Sequence, residues 1–217
     1  MSDPPSIRLF NPLEENVHRF LQLTDAIPGP RKQGLQDLAR HFARGMNGHG
    51  PASSSFICTH NSRRSQIAQV WASAAAAFFG LNRLRFFSSG TEATAFHPNA
   101  IGSLRRAGFH IPPAAGSNPH YRVEFAAQAP PLDCFSKAIG EPGGPEQAFG
   151  AILVCSEADA ACPIVAGASF RLSLPYEDPG AADGSPNEEE AYDSCQRQIA
   201  TELLYAMQQV RDQPLSS

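Results

Sequence analysis

The sequence is short of several things that would mark an obvious class. It has no excess of positive charge: 17 Lys and Arg stand against 21 Asp and Glu, a formal net charge of −4. A nucleic-acid partner needs a basic face and is not expected. It has no long apolar run. The longest, around 70–81, is interrupted by Ser73 and falls well short of the ~20 residues that span a bilayer. Its first residues, MSDPPSIRLF, lack the basic-then-apolar layout of a signal peptide. Together these absences predict a cytoplasmic protein with no membrane association. No two of the five cysteines have the close Cys-x2–4-Cys spacing of structural zinc sites. An odd cysteine count without a secretory signal also argues against a disulfide framework. The cysteines are therefore read as reduced thiols, and neither metal nor cofactor is expected.

What remains is a globular composition, 42% hydrophobic and 18% charged, over 217 residues. That suffices for one domain with its own core and a small appendage. Two helices are expected first. Asn11-Pro12-Leu13-Glu14 reads as a capped start followed by Leu13, Val17, Phe20 and Leu21 at helical spacing. Pro28-Gly29-Pro30 reads as a break, and a second helix carries Leu35, Leu38 and Phe42 to an end at Gly45. The Gly-, Ser- and Pro-rich stretch 46–54 reads as a linker, dividing an N-terminal helical extension (1–50) from a main domain (51–217).

In the main domain extended and helical patterns alternate. Phe56-Ile57 leads to Cys58, and a helix follows from about Arg64 to Phe79. Leu84–Phe87 is extended and Pro98–Ala107 helical, while Phe149–Val154 is apolar throughout, as in a central parallel strand. Phe170–Leu174 alternates, and a last helix opens at Ser185-Pro186-Asn187-Glu188, a capping-box pattern. This order predicts an α/β fold, an open parallel sheet with helices on both faces. Residues 112–148, rich in Pro, Gly and Ala, fit it least and read as an insertion with a hairpin.

The chemistry concentrates at Cys58-Thr59-His60-Asn61-Ser62-Arg63-Arg64-Ser65. Ligands in open parallel sheets bind where strands end and helices begin. A loop of this length can wrap a tetrahedral anion and aim backbone N–H groups at its oxygens, with the helix start adding partial positive charge. Arg64 can hold two oxygens with its planar fork, which a lysine could not. The same field stabilises a thiolate at Cys58, and Ser65 can donate to its sulfur. Arg63 is expected to tolerate lysine. A buried cysteine before an ordinary polar loop is the plainer account. It leaves unexplained the arginine six residues on, the serine after it and the immediate helix.

The segment Phe56–Gln66 resembles the phosphate loop of the low-molecular-weight tyrosine phosphatase fold, and in particular that of the thioredoxin-coupled arsenate reductases built on it. Ser89-Gly90-Thr91-Glu92 through Gly108 resembles their second strand and helix. The run Val154–Pro163 resembles their redox segment, and Glu177-Asp178-Pro179 their general-acid loop. The resemblance covers most of residues 54–211, leaving out 1–50 and the 112–148 insertion.

The resemblance implies that Cys58 attacks arsenate, with Asp178 as general acid. Cys155 then attacks Cys58 to release arsenite, Cys162 takes over the disulfide, and a thioredoxin-like protein reduces it. Three departures stand out. His60 stands where the family usually has glycine. Gln69 replaces a glutamate that helps some reductases hold potassium, so no such ion is expected. The acid loop lacks the tyrosine that follows Asp-Pro in most tyrosine phosphatases of this fold, which tilts against a phosphotyrosine substrate.

The alternative is a low-molecular-weight phosphatase using Cys58, Arg64 and Asp178 through a cysteinyl-phosphate intermediate. A third reading is an idle anion-binding module with residues 1–50 as a docking arm. Cys134 and Cys195 read as packing residues, and Glu177, Asp159 and Asp183 as solvated. Residues 156–161 are tolerable helix formers, so a short helix between Cys155 and Cys162 is expected.

Overall fold

The computed structural model describes residues 7–48 and 52–212. Residues 1–6, which carry part of the reading of the N-terminus, and 49–51 of the expected linker lie outside the described residues. Two helices come first, α1 (Asn11–Leu21) and α2 (Gly29–Met46). Phe10 rather than Asn11 caps α1, and no side chain donates or accepts at that cap. The Pro28-Gly29-Pro30 segment lies at the break between α1 and α2, as expected. It opens α2, with Pro30 in the first turn, where a missing N–H costs nothing.

Four strands form the main sheet: β1 (Ser53–Cys58), β2 (Arg85–Gly90), β5 (Phe149–Leu153) and β6 (Ala168–Ser173), in the order β2-β1-β5-β6, all parallel. The helices α3 (Arg64–Phe78), α4 (Pro98–Arg106), α5 (Ser156–Ala161) and α6 (Glu188–Asp212) connect or follow them. The insertion contains the short antiparallel pair β3 (Tyr121–Val123) and β4 (Leu132–Cys134).

Register shows that helices cover both faces. Ser88, Phe56, Ile152 and Leu172 lie in one row across the sheet, and Ser89, Ile57, Leu153 and Ser173 in the next. Successive rows point to opposite faces. Ser88 donates to Gln69 of α3 and Ser173 to Asp159 of α5, so α3 and α5 lie on opposite sides. The strand order reverses between β1 and β5. Their C-terminal ends therefore flank the crevice where open α/β sheets bind ligands.

The N-terminal helices bury their apolar stripes inward. Leu13, Val17, Phe20, Leu35, Leu38 and Phe42 are all nearly or wholly inaccessible. Phe20 packs on Trp71 of α3, and Phe42 on Phe86 of β2. At roughly 1.5–3 kcal/mol each, these six side chains contribute on the order of 10 kcal/mol, comparable with the net stability of a whole domain. The faces that a docking arm would present are thus already used. His41 of α2 sits on the row Phe86, Ser54, Gly150 and Phe170. It lies 3.0 Å from the Ser54 hydroxyl and stacks on Phe170 at 4.3 Å. A Cβ at position 150 would come within 2.3 Å of the His41 ring, so glycine is required there.

Among the described residues no helix is long and apolar enough to cross a membrane.

Candidate active site

The loop 58–65 joins β1 to α3. Its carbonyls all turn outward. The Cys58 carbonyl accepts from the Thr91 N–H, and that of Thr59 from the Glu92 N–H and the Thr91 hydroxyl. The His60 carbonyl accepts from the hydroxyls of Thr94 and Ser136, that of Asn61 from the Gln66 amide, and that of Ser62 from the His97 N–H. A trans peptide points its N–H opposite to its C=O. The amides of Thr59, His60, Asn61, Ser62 and Arg63 therefore turn toward the loop's interior, a nest of donors for an anion at the start of α3.

Of the loop residues only Asn61 has a positive φ, 46°, a conformation asparagine tolerates. His60 needs no such angle, so its presence where glycine is usual leaves the loop intact. Its side chain is half exposed and pairs with Glu92 at 2.8 Å, on the outer side. Gly90 is the loop's tightest support. A Cβ there would lie 2.4–2.7 Å from Glu92 O, Thr59 O and Asn61 N.

Inside the nest, Cys58 Sγ is 3.1 Å from the Ser65 hydroxyl oxygen. Asn61 donates its amide to that same oxygen at 2.8 Å, which leaves the hydroxyl hydrogen free to point at sulfur. The Arg64 side chain is only 8% exposed. One terminal nitrogen donates to the Tyr176 carbonyl at 3.0 Å and the other to Asp178 at 2.6 Å, while the buried Nε has no protein partner. Asp178 also accepts from the Gly180 N–H, 3.0 Å away. The Arg64–Asp178 ion pair thus stands at the start of α3, at the end of the loop that opens on Cys58.

Cys155 lies two residues past the end of β5 and is fully buried. Its sulfur lies 3.5 Å from the Thr59 hydroxyl and accepts from the Ala158 N–H at 3.3 Å, capping α5. Burial pushes its thiol to the alkaline side of an ordinary cysteine, partly offset by these two hydrogen bonds and by Arg64. Cys162 ends α5 and is half-buried. Burial pushes Cys134 and Cys195 up to about 12, so both are inert thiols in the packing.

Arg63 departs from the expectation that lysine would serve there. Its Nε donates to the Tyr192 hydroxyl and a terminal nitrogen to Asp183, both at 2.6 Å. Tyr192 itself donates to Asp183 at 2.8 Å and stacks on His97. The guanidinium fork therefore ties the acid loop to α6 and to the anion loop, and Asp183 is not a solvated carboxylate. Neither is Asp159, which pairs with Arg171 and accepts from Ser173.

Several supports of the loop come from positions distant in sequence. Gln66 donates to the carbonyls of Asn61 and Phe135. Ser136 donates to the His60 carbonyl and the Lys137 N–H to Asn61 Oδ1, so the insertion braces the anion loop. Arg31 of α2 pairs with the buried Glu202 and lies over the Tyr176 ring, whose carbonyl holds Arg64. No sequence signal couples these distant positions.

No protein-family model matches the sequence. A protein named arsenate reductase from Bacillus licheniformis is 28% identical over 137 residues, 63% of this chain and 81% of that protein. Another of that name, from Brevibacillus brevis, is 27% identical over 128 residues, 59% of this chain and 77% of its own length. Among solved structures, a YwlE mutant from Bacillus subtilis superposes with a TM-score of 0.50 at 15% identity, covering 74% of this chain and 99% of that one. The chain is thus similar in sequence to proteins named arsenate reductase and shares its fold with YwlE.

Proposed function

We propose that this enzyme is a cytoplasmic arsenate reductase working through an intramolecular thiol-disulfide cascade. The site belongs to the 51–217 domain, with 1–50 as a helical extension supporting it from behind. The loop amides of Thr59, His60, Asn61, Ser62 and Arg63, with the Arg64 fork and Ser65 at the start of α3, bind the tetrahedral oxyanion. Cys58 attacks arsenic as a thiolate, and Asp178 protonates the oxygen that leaves as water. Cys155 then attacks Cys58 Sγ. Arsenic departs with the electron pair as arsenite, and a Cys58–Cys155 disulfide remains. Cys162 attacks Cys155 in turn, Cys58 leaves as thiolate, and a thioredoxin-like dithiol reduces the Cys155–Cys162 bond.

The observation that carries this reading over simple phosphomonoester hydrolysis is the position of Cys155. Its sulfur is 3.5 Å from the hydroxyl of Thr59, the residue next to Cys58, and Cys162 sits partly open to solvent beyond a single short helix. A phosphatase needs neither thiol. The test measures arsenate turnover coupled to thioredoxin beside hydrolysis of an aryl phosphate on one preparation. The reading expects efficient arsenate turnover that Cys155→Ser and Cys162→Ser both abolish. Aryl phosphate hydrolysis that survives both substitutions, without arsenate turnover, would make the enzyme a low-molecular-weight phosphatase instead.

A further inference from the structure

The helix α5 has little to hold it. It is six residues long and buries only Ala158. Isolated helices of that length do not persist in water, and a helix end leaves its last carbonyls without partners. Here Arg171, on the edge strand β6, supplies them. Its Nε donates to the Cys162 carbonyl at 3.1 Å and a terminal nitrogen to the Asp159 carbonyl at 2.9 Å. The same nitrogen pairs with the Asp159 carboxylate, whose other oxygen accepts from Ser173 at 2.7 Å.

Those contacts oppose disulfide formation. Seven helical steps separate two residues by roughly 10 Å along the axis, and a disulfide needs Cα atoms within about 7 Å. Cys155 and Cys162 can join only if α5 unwinds, which takes the Cys162 and Asp159 carbonyls away from the guanidinium.

We propose that Arg171 is a positioning residue that latches α5 through Asp159 and the Cys162 carbonyl, and that its release limits the rate at which Cys155 and Cys162 join. The proposal rests on the cascade reading. The exchange itself moves no net electrons. Cys162 thiolate forms a bond to Cys155 Sγ, the Cys155–Cys58 bond breaks, and Cys58 leaves as thiolate.

The test avoids arsenate, so that the latch and the cascade can fail separately. In full-length Cys58→Ser protein, oxidised glutathione caps the half-exposed Cys162. Cys155 thiolate then attacks Cys162 Sγ and glutathione leaves as thiolate, which mass spectrometry follows as loss of the adduct. Arg171→Met should speed this closure about tenfold, the loss of about one charge-assisted hydrogen bond's worth of holding, with Arg171→Lys intermediate. In the reduced protein, Arg171→Met should also quicken amide hydrogen exchange at 158–162 while 149–153 of β5 keep their protection. An unchanged closure rate overturns the latch even if exchange quickens. So does exchange that rises equally in β5, which would mean general destabilisation. If the adduct never resolves to an internal disulfide in either protein, the cascade reading fails and the latch falls with it.

Discussion

Acid should loosen the N-terminal helices from the sheet, and His41 sets the pH window. Burial, with a smaller effect of Arg44, holds this imidazole down from the ordinary 6.5 to about 4. Between those values the unfolded chain binds the proton and the folded one does not, so stability rises with pH across the window. The contribution is complete above pH 6.5 and lost as pH falls toward 4. A depression of that size amounts to roughly 3 kcal/mol over the whole window, of which roughly 2 kcal/mol is gone by pH 5. For a chain of this length that corresponds to a fall in Tm of roughly 4–8 °C between pH 7 and 5. His97 is also held low, by burial and by Arg63, and adds in the same direction. The contribution of His41 is therefore read as a difference. Thermal unfolding of wild type and His41→Gln at both pH values should show a flatter pH dependence in the variant, whose amide can bond Ser54 but cannot titrate. If His41→Gln loses as much stability between pH 7 and 5 as wild type, the buried neutral histidine is not what ties α2 to the sheet.

Other predictions concern the site. Arg64→Lys should lower kcat/KM for any oxyanion substrate about a hundredfold, because it loses the fork that reaches Tyr176, Asp178 and the anion together. Arg63→Lys should lower kcat about tenfold with little change in KM, since it frees the acid loop from Tyr192 and Asp183; steady-state kinetics of both variants would expose an error if the two losses were alike in KM. Asp178→Asn should slow aryl phosphate hydrolysis most for poor leaving groups, and a loss uniform across leaving groups would reduce Asp178 to a turn residue. Gly90→Ala should abolish phosphate binding, measured by calorimetry, because the added Cβ collides with three backbone atoms around the anion loop; unimpaired binding would show the loop to be less tightly supported than its contacts imply.

The parts of this architecture that could be read from sequence are those whose signal is local. The Cys58 loop carries a cysteine at a strand end, an arginine and a helix start within eight residues, a local pattern whose strand-loop-helix setting the structure bears out. The apolar run at β5 and the helix-forming stretch between Cys155 and Cys162 were equally self-contained. Readings failed where the deciding contact lay far along the chain. Arg63 looked replaceable because its partners stand 120 and 129 residues away. Asp183 reads as solvated for the same reason, whereas the partners of Asp159 are only 12 and 14 residues on, across the turn from α5 to β6. The insertion's brace on the anion loop, through Ser136 and Lys137, involves positions 76 residues from those they support, and its Pro- and Gly-rich composition advertises only a loop.

The cascade itself can be tested on a single variant. Cys162→Ser given one equivalent of arsenate, without reductant, should release one arsenite and stop, with peptide mapping showing Cys58 bonded to Cys155. Thioredoxin-coupled turnover of that variant at the wild-type rate, or mapping that finds Cys155 still a free thiol after arsenite is released, would contradict the account.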